Sequence, residues 1–312
     1  MMRRLDGYGV FFRLLKAALA GETCSVVLTE EEWRDVYDTA CRQSVQGVMF
    51  PVIEALPKGS GIPSGLAGRW ALDARRIEGD YRRHLAVVEK QRSTWAARGV
   101  DAVLLKGTAS AALYPRPELR VCGDIDWWMR TDADWSKALK VLENNGIAYG
   151  YDSDGDISYS LAGVVVEHHR KGLISDSNGV VLYLLNEHIM HHAMVFGVGL
   201  RQLCDYALAL KRYDAQENME EYRMLVRENG LEAWTTVLDE LAAFLMAPWD
   251  AAIPSGKAGS LLSLMMTDGN MGLDKEFRLS GLLRRATLFL SLAPGSFAKR
   301  WLGLVFGRLK RN

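Results

Sequence analysis

The sequence has no excess of either charge. Its 312 residues include 38 Lys and Arg and 38 Asp and Glu, which gives a formal net charge of zero. Proteins that bind nucleic acid or anionic membranes usually carry a basic excess, because cations must offset the phosphates. The composition therefore disfavours nucleic acid as a partner, although it is compatible with a local basic patch.

Cysteines and long apolar runs are also scarce. The four cysteines are far apart and form no Cys-x-x-Cys pair, so neither a disulfide framework nor a cysteine-rich metal site is expected. No run of about eighteen apolar residues indicates a transmembrane segment. The basic N-terminus meets Asp6 and Gly7 before any apolar run, unlike a signal peptide. These features predict reduced thiols and a cytoplasmic protein.

Apolar spacing predicts a largely helical chain with one small sheet. Helical periodicity covers 8–20, 29–43, 45–56, 66–98, 132–145, 180–211 and 216–246. Strand-like segments occur at 103–105, 123–129, 147–151, 157–161 and 163–170. We therefore expect an α+β fold, with a small mixed β-sheet core at 100–175 between helical regions at 1–99 and 176–312.

The most informative stretch is 101–130, which reads DAVLLKGTASAALYPRPELRVCGDIDWWMR. A short apolar strand ends at Lys106 and Gly107, and the small residues from Thr108 onward suit the start of a helix. Gly107 lets the backbone approach a ligand closely. Backbone amides at a helix start bind phosphate, and Lys106 and Arg120 add positive charge nearby.

Two aspartates, Asp124 and Asp126, lie on the next predicted strand. Residues two apart on a strand share a face, with Cβ atoms roughly 6–7 Å apart. Hard cations such as Mg²⁺ prefer carboxylate oxygens. An isolated Asp-x-Asp is more often the solvated face of an edge strand, but such an edge needs neither the glycine turn nor the nearby cations. The context favours a metal site.

A third acid, Glu167, ends the apolar run of the strand at 163–170. A carboxylate in that position faces either water or a metal, and a strand beside the two aspartates would bring Glu167 to them. The next residues, His168 and His169, point to opposite faces, so at most one enters the site. The acidic turn at 152–156 is expected to be exposed.

The spacing of these residues resembles a known signature. Gly107 and Thr108, followed after a spacer by Asp124 and Asp126, are similar to the motif of the nucleotidyltransferase superfamily typified by DNA polymerase beta and kanamycin nucleotidyltransferase. The usual Gly-Ser pair is Gly-Thr in this chain. The resemblance therefore implies that Thr108 or Ser110 takes the role of the serine.

A narrower resemblance, to the bacterial family called uncharacterised nucleotidyltransferases, covers most of the chain. The residues of the strong motif are Leu105-Lys106-Gly107, Tyr114-Pro115, Arg120 and Asp124-Ile125-Asp126. In the superfamily the third carboxylate comes from a later strand, which for this chain indicates Glu167.

The resemblance implies transfer of a nucleoside monophosphate from an NTP to an acceptor hydroxyl by two Mg²⁺ ions about 3.5–4 Å apart. Asp124, Asp126 and Glu167 are the expected catalytic metal ligands. The nucleotide phosphates are expected to bind Lys106, Gly107, Thr108, Ser110 and Arg120.

Two alternatives to nucleotidyl transfer would use the same residues. One is a nucleotide- or partner-binding module without catalysis, which the retention of both aspartates disfavours. The other is a metal-dependent phosphohydrolase with water as the nucleophile. The NTP, the acceptor and the oligomeric state are open: an antibiotic, a sugar, a protein hydroxyl and an RNA end all suit these residues. The basic apolar tail at 297–312 is expected to pack on the body, with membrane contact as the alternative.

Overall fold

The structure, a computed structural model, describes residues 5–105, 107–152, 155–170, 175–195, 197–270 and 279–295. Two predictions fall outside these residues. Lys106, expected beside the phosphates, is one, and the tail at 297–312 is the other.

Among the described residues, four α-helices precede the sheet: α1 (Gly9–Ala20), α2 (Glu30–Arg42), α3 (Gln46–Glu54) and α4 (Ser64–Arg98). A short 3-10 helix, Leu5–Tyr8, lies just before α1. α2 begins with a capping box, in which the amide of Glu32 donates to the Thr29 hydroxyl and the amide of Thr29 donates to the Glu32 carboxylate. α4 is 35 residues long and is followed by Gly99, which has the left-handed conformation that suits a helix C-terminus.

Within the described residues the sheet has five strands: β1 (Ala102–Leu104), β2 (Ile125–Met129), β3 (Tyr149–Tyr151), β4 (Ile157–Leu161) and β5 (Val164–His169). Their order is β1-β2-β5-β4-β3, with β2 and β5 parallel and the other neighbours antiparallel. Two helices lie between the strands, α5 (Thr108–Ala111) and α6 (Asp132–Asn144). All described strands fall within the predicted core, and the predicted α+β fold is confirmed.

Strand alternation gives the sheet two different faces. Ile125 and Trp127 of β2, with Val166 of β5, pack against α4 and α6 in one hydrophobic cluster. Residues at the intervening positions, such as Asp126 and Glu167, therefore point to the opposite face. β2 is buried along its whole length, which indicates that both faces of the sheet are covered there.

In the part of the chain that the structure describes, six α-helices follow the sheet: α7 (Asn178–Val195), α8 (Leu200–Arg212), α9 (Gln216–Glu228), α10 (Glu232–Met246), α11 (Gly256–Asp268) and α12 (Leu279–Leu292). The single helix expected at 180–211 was wrong, because the chain leaves the helix between α7 and α8. Gly197 adopts a positive φ of 87° and donates its amide to the carbonyl of His192, as glycines after a helix end commonly do. α8 therefore starts in a new direction.

The helices that precede the sheet in the sequence and those that follow it pack together in one hydrophobic core. The rings of Phe12 in α1 and Phe244 in α10 meet edge to face, with centroids 5.2 Å apart. Gln43 donates from Nε2 to the carbonyl of Met265, 3.1 Å away. In the described part of the chain, no helix is long and apolar enough to cross a membrane.

Candidate functional site

Asp126 and Glu167 meet on the face of the sheet away from α4 and α6. They are opposite each other in the parallel pairing of β2 with β5. Asp126 is fully buried, whereas the Glu167 side chain is 36% exposed. Ligand atoms of Asp126, Glu167 and His169 all lie within 4.8 Å of one another. The pairing thus brings together two acids that are far apart in sequence.

His169 lies between two carboxylates. Its Nε2 is 2.9 Å from Asp126 Oδ1, and its Nδ1 is 2.7 Å from Asp156 Oδ2. The other Asp156 oxygen accepts the amide of Arg170 at 3.0 Å, which fixes the carboxylate. A second carboxylate that orients a histidine in this way is common around metal-binding histidines.

The exposure expected for Asp156 was wrong. Its side chain is only 20% exposed because β4 and β5 are antiparallel and Ile157 pairs with His168. The residue before β4 therefore lies beside the last residue of β5. The sequence contained one indication of the contact between Asp156 and His169. Because His168 and His169 point to opposite faces, only one of them can lie near the acids.

His168 points the other way, into the core. Its Nε2 lies 2.9 Å from the hydroxyl of Tyr159, which accepts a hydrogen bond from Gln91 Nε2 at 2.6 Å. Gln91 in turn accepts from the indole nitrogen of Trp127 at 2.8 Å. Burial lowers the pKa of His168 to about 3, which favours the neutral ring. This network stabilises the back of the strands that carry the acids.

Asp124 lies just before β2, which starts only at Ile125, and its side chain is partly buried. Among the described residues, the group within 4.8 Å contains Asp126 but not Asp124. Asp124 instead lines an adjacent cleft between the β1–α5 turn and helices α7 and α8. The residues of this Asp124 cleft are Gly107, Ser110, Arg120, Gly123, Asp124, Leu185, His188, Ile189, Arg201, Gln202 and Asp205.

The backbone conformation and close packing at position 107, beside the Asp124 cleft, require a glycine. Its backbone has φ 68° and ψ −107°, a combination that residues with a side chain rarely adopt. A Cβ added to Gly107 would also lie 2.9 Å from the backbone oxygen of Asp124. The glycine turn and the first aspartate of the motif are therefore in close contact.

The two candidate hydroxyls of α5 face different spaces. Ser110 lines the Asp124 cleft. Thr108 lines a separate groove with Val103, Leu104 and Trp127. Its buried Oγ1 has no hydrogen-bond partner among the described residues. The geometry therefore favours Ser110 over Thr108 as the hydroxyl nearer to Asp124.

Arg120 forms a buried ion pair in the wall of the Asp124 cleft. Its Nε donates to Asp205 Oδ1 at 2.9 Å and its Nη2 donates to Oδ2. Tyr114 donates its hydroxyl to the same Oδ1 at 2.7 Å. Burial opposes the charge of Arg120, but Asp205 outweighs that effect and raises the pKa of the guanidinium. Much of the charge expected to neutralise phosphate is thus offset by an aspartate of α8.

A family model described as an uncharacterised nucleotidyltransferase matches residues 29–185, about half of the chain. The chain belongs to this family. The matched part of the chain contains Asp124, Asp126 and Glu167, and it ends before α8, which carries Arg201 and Asp205. No curated protein and no solved structure matches the chain.

Proposed function

We propose that this protein moves a nucleoside monophosphate from an NTP to an acceptor hydroxyl, using two divalent cations. The observation that carries the proposal is the pairing of Asp126 with Glu167 on parallel strands. In a member of a nucleotidyltransferase family, two adjacent carboxylates with the glycine turn close by suit a metal-dependent transfer of this kind.

The donor set fits a divalent cation. Mg²⁺ takes oxygen ligands at about 2.0–2.1 Å, so donors around one ion lie a few ångströms apart, as those of Asp126, Glu167 and His169 do. A fully buried carboxylate such as Asp126 is costly unless a positive charge or hydrogen bonds offset it. We assign Asp124, Asp126 and Glu167 as the carboxylate ligands, in keeping with the superfamily that the sequence resembles.

When bound, the two ions would align the acceptor oxygen with the α-phosphate and offset the charge of the leaving pyrophosphate. Glu167, the more exposed of the paired acids, is open to an incoming acceptor and receives the hydroxyl proton on a carboxylate oxygen. His169 and Asp156 hold Asp126 in place through the hydrogen bonds described above.

The phosphates of the nucleotide bind along the Asp124 cleft. Gly107 lets them approach the backbone, and the Ser110 hydroxyl donates to a phosphate oxygen. The amide of Thr108 and the charges of Lys106 and Arg120 complete the set that the resemblance implies. The position of Ser110 in the same cleft as Asp124 supports this arrangement.

Isotope position in the NTP separates this reaction from its alternatives. The purified protein is incubated with Mg²⁺, candidate acceptors and NTPs labelled at either the α- or the γ-phosphate. Nucleotidyl transfer moves the α-label to an acceptor and releases the γ-label as pyrophosphate. Release of the γ-label as orthophosphate would instead indicate a phosphohydrolase, and saturable binding without product would indicate a binding module.

A further inference from the structure

Arg201, the second residue of α8, lies in the wall of the Asp124 cleft. Its Nη1 donates to the carbonyl of Val121 at 2.9 Å. A Cβ added to Gly123 would lie 3.9 Å from the same nitrogen. The guanidinium is therefore next to the segment that leads into Asp124, although α8 lies outside the part of the chain that the family match covers.

The charge of Arg201 lacks a dedicated counter-ion. In the part of the chain that the structure describes, Arg201 forms no salt bridge, and both oxygens of Asp205 accept from Arg120. Two guanidiniums thus share the field of one carboxylate. Burial, followed by repulsion from Arg120, lowers the pKa of Arg201, and the attraction of Asp124 is a smaller effect.

One hydrogen-bond donor of Arg201 is also unused. Its buried Nε has no hydrogen-bond partner among the described residues. A buried N–H of a charged group that lacks an acceptor costs free energy, more than a neutral group would. A guanidinium offers several donors in a fixed fork that matches the oxygens of a phosphate. An anion in the cleft would provide both the acceptor and the missing negative charge.

We propose that Arg201 binds a phosphate group of the nucleotide in the Asp124 cleft, so that the C-terminal helices supply part of the nucleotide site. This inference deepens the proposed function and rests on it. Arg201 adds a positive charge to that expected from Arg120, much of which is offset by Asp205. Ser110 and Gly107 lie on the opposite, α5 side of the same cleft.

The inference is tested with inorganic tripolyphosphate, which carries the charged part of an NTP without base or sugar. Binding is measured by calorimetry at constant ionic strength in EDTA, so that no divalent cation contributes. The variants are Arg201→Gln, Arg201→Lys and, as a matched control, Arg34→Gln. Arg34 lies on α2 with its side chain 66% exposed, so its loss should leave affinity at the wild-type value.

We expect Arg201→Gln to weaken tripolyphosphate binding by about tenfold to a hundredfold, the usual effect of losing a charge-assisted hydrogen bond. Arg201→Lys keeps the charge but loses the planar fork of donors. Its affinity for tripolyphosphate should therefore lie between those of the wild type and Arg201→Gln. Thermal unfolding shows whether each variant is folded. If Arg201→Gln does not fold, the affinity of Arg201→Lys decides, with a loss of severalfold expected.

A purely structural role for the contact with Val121 would lower the melting temperature and leave the affinity of the folded variant unchanged. That result, or a wild-type protein that does not bind tripolyphosphate, would overturn the inference. Failure of the proposed function is distinguishable. Tripolyphosphate binding that depends on Arg201, without nucleotidyl transfer, would contradict only the reaction, whereas transfer with unchanged affinity in Arg201→Gln would contradict only the role of Arg201.

Discussion

Asp126 lies directly opposite Glu167 in the parallel pairing of β2 with β5, and one of the two carboxylates is fully buried. Two acids at such close range repel each other when both are ionised. The hydrogen bond from His169 Nε2 to Asp126 Oδ1, with 2.9 Å between these atoms, offsets part of this cost. A divalent cation would offset the remainder, which makes the pair the first target for mutation.

Asp126→Asn should abolish Mg²⁺-dependent nucleotide chemistry while leaving the metal-free fold intact or slightly more stable. The substitution removes one of the two repelling charges and keeps the shape of the side chain. Asp124→Asn should also lose activity if Asp124 binds an ion. Activity is measured with labelled NTP, and stability by thermal unfolding in EDTA. The exposed Asp38 of α2 provides the control Asp38→Asn. Wild-type turnover in either site variant would contradict the two-metal assignment.

The two hydroxyls of α5 should respond in opposite ways. Ser110→Ala should weaken NTP binding, since Ser110 lines the Asp124 cleft. Thr108→Val should leave binding unchanged and stabilise the protein by about 1 kcal/mol, because it removes a buried hydroxyl without a partner among the described residues. Nucleotide titrations and urea unfolding measure the two effects. A loss of affinity in Thr108→Val alone would transfer the serine's role to Thr108.

Apolar periodicity was sufficient to predict the small sheet and most of the long helices, because side chains repeat every 3.6 residues on a helix and every two on a strand. It missed the break between α7 and α8 and predicted neither α11 nor α12. It could not specify the parallel partner of β2, which depends on the path of the chain between strands. The position of Glu167 beside Asp126 was therefore expected from the superfamily resemblance and on the assumption that the two strands are neighbours.

Side-chain pairs between the motif and the C-terminal helices were beyond prediction from the sequence. The buried pair of Arg120 with Asp205 joins the motif to α8, and no local pattern indicates which acid a given arginine meets. The same holds for Arg201, whose position depends on the break between α7 and α8. Gly197 was the one visible signal of that break, because a glycine often ends a helix.

Asp156 should influence the affinity of the site for metal without binding the ion directly. It orients His169, whose Nδ1 lies 2.7 Å from Asp156 Oδ2 and whose Nε2 hydrogen-bonds the proposed ligand Asp126. Loss of a group that orients a metal ligand typically costs tenfold to a hundredfold in affinity. We expect Asp156→Asn to weaken Mn²⁺ binding by roughly tenfold, measured by electron paramagnetic resonance with Asp38→Asn as the control. Unchanged affinity would show that Asp156 only stabilises the end of the β4–β5 hairpin.

The pair of Arg120 with Asp205 should be the most costly charge interaction to break. Both side chains are only 5% exposed, so Asp205→Asn leaves a buried guanidinium without its counter-ion and should cost about 3–5 kcal/mol in the free energy of unfolding. The exposed pair of Arg34 with Glu30 provides the comparison, since Glu30→Gln should cost less than about 1 kcal/mol. Urea unfolding measures the free energy lost in both variants.

Because the penalty arises from the isolated charge, the double variant Arg120→Met with Asp205→Leu should recover much of the lost stability. A double variant no more stable than Asp205→Asn would contradict this explanation and indicate that the geometry of the pair itself holds α8 against the motif.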